Sequence, residues 1–158
     1  MKKFIKIMTL LLSLIIIFAF STACAKPNPP VEGLDDETVA IIREKIYDSF
    51  APHGAEDKLE RVIIKKYLGT YNNHVVVYVD IQNGFWLTVV VDHIIDDVYL
   101  GTSGDPSQDF WVYTEGEDII KIDKAYEKGY LTKDNLLSIA EANGVKQSDK
   151  PEHGLTAS

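Results

Sequence analysis

The chain has 158 residues, 46% of them hydrophobic and 25% charged, and its formal net charge is −8 at pH 7. This length suits one small domain, since domains usually contain about 100–200 residues. An acidic surface repels nucleic-acid phosphates and anionic lipids, so the charge disfavours a nucleic-acid-binding protein.

The first 24 residues predict an export signal. Two lysines give it a positive start, an apolar run follows over residues 5–20, and small residues then precede Cys24, the only cysteine. The arrangement resembles a bacterial lipobox, although Ser21 stands where lipoboxes usually carry an aliphatic residue. We therefore expect a lipoprotein signal peptide over residues 1–23 and a lipid on Cys24. An uncleaved transmembrane anchor is the alternative, and the apolar run is near the lower length limit for one.

Removal of this signal changes the mature chain in two ways. It takes away Lys2, Lys3 and Lys6 but no acid, which leaves 13 basic against 24 acidic residues and a net charge of −11. A lipidated Cys24 also leaves no free thiol, which excludes a cysteine nucleophile, a disulfide and a cysteine-based metal site.

Two polar segments flank the expected domain. Residues 24–34 contain three prolines and a glycine, which favours an extended tether that reaches about 30 Å. Residues 145–158 are polar and show no apolar period, which predicts a disordered tail. A single domain over residues 35–144 remains between them.

The domain begins with a predicted helix. Acidic residues at 35–37 suit the positive N-terminal end of a helix dipole. The apolar residues Val39, Ile42, Ile46 and Phe50 then recur at helical spacing and form one apolar face. Residues 51–54, which include a proline and a glycine, are expected to end the helix. Because its apolar face is narrow, we expect this helix to lie on a sheet.

About five or six antiparallel strands are predicted next, from β-branched and aromatic runs separated by turn signals. Asn72-Asn73 and Asn83-Gly84 suit two-residue hairpin turns, which need positive φ at both positions. Glu115-Gly116 marks a last hairpin, and residues 101–108 are expected to form a loop. The strands are expected over residues 61–71, 74–81, 85–91, 94–100, 109–114 and 118–122.

Two short helices are predicted to close the domain. Asp123 is expected to cap the first and Gly129 to end it, while Thr132 caps the second and Asn143-Gly144 ends it. The order of elements predicts an α+β fold with an N-terminal helix, an antiparallel sheet of about five or six strands, and short C-terminal helices. The second C-terminal helix takes its apolar residues from Leu136, Leu137 and Ile139.

Two runs of residues carry a family resemblance: YLGTYN at residues 67–72 and AYEKGYLTKD at residues 125–134. They resemble paired motifs in uncharacterised lipoproteins of low-GC Gram-positive bacteria, which share the order of lipobox, helix, GTYN hairpin and AYExGxLT motif. The chain departs from that pattern at Tyr130, where leucine is commoner, and in a longer loop at residues 101–108. The resemblance implies the element order and a lipid-anchored location, and it implies no catalytic residue.

The second motif also has a mechanical interpretation. Gly129 can adopt positive φ and let one short helix turn into the next. Tyr126 and Leu131 are then expected to pack beneath that corner. The motif is therefore interpreted as a folding device in preference to a binding surface.

A cluster of polar side chains near the middle of the chain is a candidate metal site. Imidazole and carboxylate groups bind zinc or manganese, and carboxylates alone bind calcium. The spacing matches no established metal loop and the flanking sequence is typical of strands, so we expect neither a metal nor another cofactor. The cluster consists of Asp92, His93, Asp96 and Asp97.

Ser103 is a candidate nucleophile because it lies in a Gly-Thr-Ser-Gly segment near Asp105. A serine hydrolase needs a base and an oxyanion hole around such a serine. The segment is not a G-x-S-x-G elbow and leads into no helix, so we expect an ordinary loop here.

The aromatic pairs Phe85-Trp86 and Phe110-Trp111 are more suggestive, because adjacent strand residues point to opposite faces of a sheet. Either both faces are covered, or one face presents an apolar surface to a partner. We interpret the pairs as the candidate interaction surface of a non-enzymatic binding module, anchored through Cys24 on the extracytoplasmic side of the cell membrane. Its partner would be an envelope or extracellular protein or ligand. The alternatives are an envelope metal-binding protein or hydrolase that uses residues 92–97, and a modulator that blocks another secreted protein.

Overall fold

The computed structural model describes residues 28–50, 61–82, 90–104 and 108–152. In these ranges three helices combine with antiparallel strands, which confirms the predicted α+β class. The helices are α1 (Asp36–Phe50), α2 (Ile122–Glu127) and α3 (Lys133–Ala142), followed by a 3-10 turn (Gln147–Asp149). The strands are β1 (Val62–Tyr71), β2 (His74–Ile81), β3 (Val91–Ile95), β4 (Val98–Ser103), β5 (Gln108–Thr114) and β6 (Ile120–Lys121). No helix of the described ranges is long and apolar enough to cross a bilayer.

The described strands form two sheets, which corrects the predicted single sheet of about five or six strands. The larger sheet has the order β1-β2-β5-β6, and the smaller one is the β3–β4 hairpin. Asp96 and Asp97 have φ angles of 47° and 66°, so the chain reverses inside the segment predicted as one strand over residues 94–100. The predicted loop over residues 101–108 is also too long, because β4 continues to Ser103 and β5 begins at Gln108.

The turn between β1 and β2 confirms the hairpin predicted at Asn72-Asn73. The two asparagines have φ angles of 49° and 68°, and they connect strands that pair in antiparallel register. Asparagine tolerates this left-handed conformation better than most residues do. The second predicted turn, Asn83-Gly84, lies outside the described residues, as do residues 51–54, expected to end α1.

The predicted cap of α3 is also confirmed. The Thr132 hydroxyl accepts a hydrogen bond from the Asn135 backbone N–H at 3.3 Å, and the Asn135 side chain accepts one from the Thr132 N–H at 2.9 Å. This reciprocal pair satisfies two of the N–H groups that a helix leaves free at its start. The cap predicted for α2 is wrong, because Lys121 precedes that helix and Asp123 lies within it.

One face of the larger sheet packs against α1. Strand alternation turns Val77 and Trp111 to this face, where they belong to one core with Ile42 and Ile46 of α1. Both isoleucines are fully buried. Full burial of such a side chain contributes about 1.5–3 kcal/mol, so the predicted helix face is a main attachment of α1.

The opposite face packs against the smaller sheet and the C-terminal helices. Val76 and Phe110 lie in a second core with Leu100 of β4 and with Leu136 and Ile139 of α3. The larger sheet therefore has apolar cores on both sides, which explains why its strands are apolar at consecutive positions.

The segment before α1 is partly built into the domain. The Ile64 backbone N–H donates a hydrogen bond to Asn28 Oδ1 at 3.1 Å, and Val31 is buried in the core beneath α1. The predicted extended tether over residues 24–34 thus differs from the structure in its second half, residues 28–34. Residues 1–27, which hold the predicted signal peptide and Cys24, lie outside the described residues.

The C-terminal segment also contacts the domain. The Gln147 side chain accepts a hydrogen bond from the Tyr99 N–H at 2.9 Å and donates one to the Tyr99 carbonyl at 3.0 Å. Val145 packs against the core around Phe110. Residues 145–152 therefore cover the outer edge of β4, where a disordered tail over residues 145–158 was predicted; residues 153–158 lie outside the described ranges.

Candidate functional site

The candidate metal cluster is dispersed in the structure. Asp96 and Asp97 form the β3–β4 turn, where Asp96 Oδ2 accepts a hydrogen bond from the Tyr126 hydroxyl at 2.8 Å. Asp97 lies 3.2 Å from the ammonium of Lys150. Asp92 instead accepts a hydrogen bond from Thr102 at 2.6 Å on the exposed side of the hairpin. Within the described ranges, no three His, Cys, Asp or Glu side chains are placed to hold a metal ion.

His93, the fourth member of that cluster, points instead toward the larger sheet. Its Nε2 lies 3.2 Å from Ser103 Oγ on β4, and its Nδ1 lies 3.7 Å from Asp109 Oδ1 on β5. The edge of its ring meets the ring of Phe110, with centroids 5.0 Å apart. His93 thus links the two sheets at the end where β4 leads toward β5.

Burial is the main influence on the protonation of His93. It lowers the pKa of His93 below the ordinary 6.5, and Lys121 acts in the same direction, whereas Asp109 and Asp92 oppose the shift. The lowered pKa of His93 favours its neutral form, so its 3.7 Å approach to Asp109 has little ion-pair character at pH 7. The carboxylate of Asp109 is instead paired with Lys121 Nζ at 2.6 Å.

Ser103, His93 and Asp109 resemble a Ser-His-Asp arrangement in residue type and order of contact. A working triad needs a hydrogen bond on each side of the imidazole and a serine that a substrate can reach. The 3.7 Å between His93 and Asp109 is too long for a hydrogen bond, and Ser103 is only 1% exposed. The geometry therefore supports a buried polar link between the sheets better than it supports a nucleophile.

The aromatic pair on β5 does not form the predicted interaction surface. Phe110 is fully buried against α3 and β4, while Trp111 is 7% exposed on the α1 side of the sheet. The interpretation of Phe110 and Trp111 as part of an interaction surface is wrong, because each face of the sheet has its own covering layer. Phe85 and Trp86, the other candidate pair, lie outside the described residues.

Exposed apolar surface is scarce in the part of the chain that the structure describes. The large apolar side chains exposed there are Val90, at 67%, and Leu137 on α3, at 41%. Val90 immediately precedes β3 and follows the segment that contains Phe85 and Trp86.

No sequence motif places Asp109 or Lys121 in a site. They lie on the two arms of the hairpin predicted around Glu115-Gly116, and the register that pairs Trp111 with Lys121 brings them together. The predicted hairpin could therefore have indicated from the sequence that Asp109 and Lys121 lie close together. Nothing local links that hairpin to His93, because the contact depends on how the smaller sheet crosses the larger one.

Comparisons with known proteins add no assignment to this geometry. No protein-family model matches the chain, and neither the curated proteins nor the solved structures contain a significant match.

Proposed function

We propose that this chain is a lipoprotein anchored through Cys24 on the extracytoplasmic side of the cell membrane, where it acts as a non-enzymatic binding module. Its contact surface comprises Phe85, Trp86 and Val90, and its partner is an envelope or extracellular protein. The anchor is supported by the positive start, the apolar run and the small residues before the single cysteine.

The exposure of Val90 is the observation that carries the choice of surface. A valine that is 67% exposed stands out among the described residues, because the valines within their strands are mostly buried. Two aromatic residues lie four and five positions before it in the sequence. Aromatic side chains are favoured anchors of protein interfaces.

Site-specific photo-crosslinking in cells tests this surface. A photoreactive amino acid at Val90 is expected to form a discrete adduct with a partner protein, and Trp86→Ala should abolish that adduct. The same probe at Leu137, the other exposed apolar position, is the matched control and should form none. Equal adducts from both positions, or an adduct that Trp86→Ala leaves unchanged, would contradict the proposed surface.

Lipid labelling tests the anchor separately. Incorporation of radioactive palmitate is expected in the natural chain and should be lost in Cys24→Ser. Labelling that persists in this variant would contradict the lipid anchor without bearing on the Val90 surface.

A serine hydrolase is the second candidate, and the contact of His93 with Ser103 is the observation that favours it. A fluorophosphonate probe, which reacts with activated serines, distinguishes the two functions. Labelling that is lost in Ser103→Ala and in His93→Ala would favour the hydrolase. The burial of Ser103 leads us to expect no labelling.

A further inference from the structure

Residues 28–34 are fixed along the outer edge of β1. The Ile64 N–H donates to Asn28 Oδ1 at 3.1 Å, and Val31 is 8% exposed in the core beneath α1. Gly33 has φ of 90°, and a Cβ at this position would lie 2.6 Å from Tyr67 Cδ1, so its close approach to the ring requires glycine. This segment is therefore part of the folded domain and does not act as a free spacer.

The length of chain left for a spacer is short. Only residues 25–27 separate Cys24 from Asn28. A fully extended chain advances at most about 3.6 Å per residue, so Asn28 lies within roughly 14 Å of the lipidated residue. A lipid on Cys24 consequently brings the β1 edge to the membrane surface, whichever way the short linker runs.

The β1 edge carries two exposed lysines at the place where the anchor brings it to the membrane. Lys65 and Lys66 are exposed side chains of β1, and Lys65 forms a long ion pair with Asp80 at 3.8 Å. With Pro30, Val31, Glu32 and Tyr67 they line an open hollow of about 390 Å³. The mature chain has a net charge of −11, so an anionic membrane repels the molecule as a whole, whereas the exposed ammonium groups of Lys65 and Lys66 are attracted to anionic headgroups.

We propose that the β1 edge, through Lys65 and Lys66 beside residues 28–34, docks on anionic lipid headgroups and orients the domain on the membrane. The inference rests on the proposed lipid anchor and adds a second contact to it. It gives the domain a membrane-facing edge at β1 and an outward-facing edge at β6 and α2, because β1 and β6 are the two edges of the larger sheet.

Energy transfer to a membrane probe tests this orientation in the full-length, lipidated protein. Glu32→Cys places a donor fluorophore on the β1 side, and Glu127→Cys places one on α2 as the matched control; both positions are exposed acids. The acceptor is a headgroup-labelled lipid in vesicles of phosphatidylcholine with phosphatidylglycerol, or of phosphatidylcholine alone. With Cys24 blocked by lipid, each variant has one thiol to label.

In the anionic vesicles, transfer from position 32 should exceed transfer from position 127. The difference should become smaller in a Lys65→Gln, Lys66→Gln double variant, in neutral vesicles, and at about 1 M salt, where the Debye length falls to about 3 Å, because the tether alone then keeps position 32 near the membrane. An unchanged melting temperature of the double variant would show that its fold is intact.

Equal transfer from the two positions in anionic vesicles would overturn the docking edge. A difference of undiminished size in the double variant, or one that is the same in neutral vesicles, would overturn the role of the two lysines. Mass spectrometry of Cys24 distinguishes these outcomes from failure of the lipid anchor itself. A chain without lipid on Cys24 would overturn both the lipid anchor and the docking edge.

Discussion

The Tyr126 hydroxyl donates a hydrogen bond to Asp96 Oδ2 over 2.8 Å, and this contact joins α2 to the β3–β4 turn. Lys133, at the start of α3, lies 3.4 Å from the same oxygen. Leu131, between the two helices, is buried in the core. The AYExGxLT segment therefore holds the smaller sheet in place from the helix corner. These contacts give residues 125–134, which carry the family resemblance, a mechanical role in folding.

Replacing Tyr126 by phenylalanine should remove the hydrogen bond that joins α2 to the β3–β4 turn. The hydrogen bond from Tyr126, followed by that from Lys133, holds the pKa of Asp96 below the ordinary 3.8. Tyr126→Phe should therefore raise the pKa of Asp96 and lower the melting temperature at pH 7. Because the folded-state pKa is depressed, the lost stability exists above about pH 4 and vanishes as the pH falls through the lowered pKa.

Carboxyl NMR titration of Asp96, with melting curves at several pH values, checks this expectation. Tyr130→Phe is the control, because Tyr130 donates its hydroxyl hydrogen bond to Glu117 and not to Asp96. An Asp96 pKa that does not move in Tyr126→Phe would contradict the assigned cause.

The backbone conformation of the β1–β2 turn predicts that a β-branched residue would be strained there. Asn73 has φ of 68°, where a β-branched side chain is strained. Asn73→Val should lower the free energy of unfolding by about 1–3 kcal/mol. Asn73→Gly keeps the conformation accessible and should leave stability the same or higher. Urea denaturation of both variants checks the turn, and equal midpoints for the two would count against it.

The contact of Gln147 with the edge of β4 predicts that the Tyr99 amide is protected from hydrogen exchange. Gln147→Ala removes both hydrogen bonds to the backbone of Tyr99. Each bond contributes about 0.5–1.5 kcal/mol, so the Tyr99 amide should exchange faster and the domain should be modestly less stable. Ser148→Ala, which loses only an exposed contact with Asp149, is the control. Unchanged protection of the Tyr99 amide would show that Gln147 does not cover this edge.

The burial of His93 predicts a dependence of stability on pH. The groups that face it are Asp109 of β5, Lys121 of β6 and Asp92 of its own strand, and burial outweighs them in lowering its pKa. Because the folded-state pKa lies below the unfolded value of 6.5, the unfolded chain binds the proton first. Stability should therefore fall as the pH drops below 6.5 and level off below the folded-state pKa.

His93→Gln removes this titration while keeping a polar side chain, so its stability should change less between pH 6.5 and 5 than that of the natural chain. Imidazole NMR gives the pKa of His93 directly. A His93 pKa at or above 6.5, or an equal pH dependence in His93→Gln, would contradict a neutral buried imidazole.

Local features of the fold were predictable from the sequence alone. Asn72-Asn73 determines a turn and Thr132 a helix cap, because both act through the backbone of a few neighbouring residues. The apolar face of α1 was likewise readable, since helical spacing alone puts Val39, Ile42 and Ile46 on one side. The lipobox was also visible as a linear pattern, and it stays a prediction because residues 1–27 lie outside the described structure.

Only the tertiary structure decided which surfaces are covered. Phe110 and Trp111 are adjacent in sequence but lie in different cores, and no local pattern shows that each face has a covering layer. The approach of His93 to Asp109 and the docking of Asn28 on Ile64 likewise join residues 16 and 36 positions apart. Such contacts depend on how whole elements cross one another, and a one-residue change of register would move every one of these side chains to the opposite face.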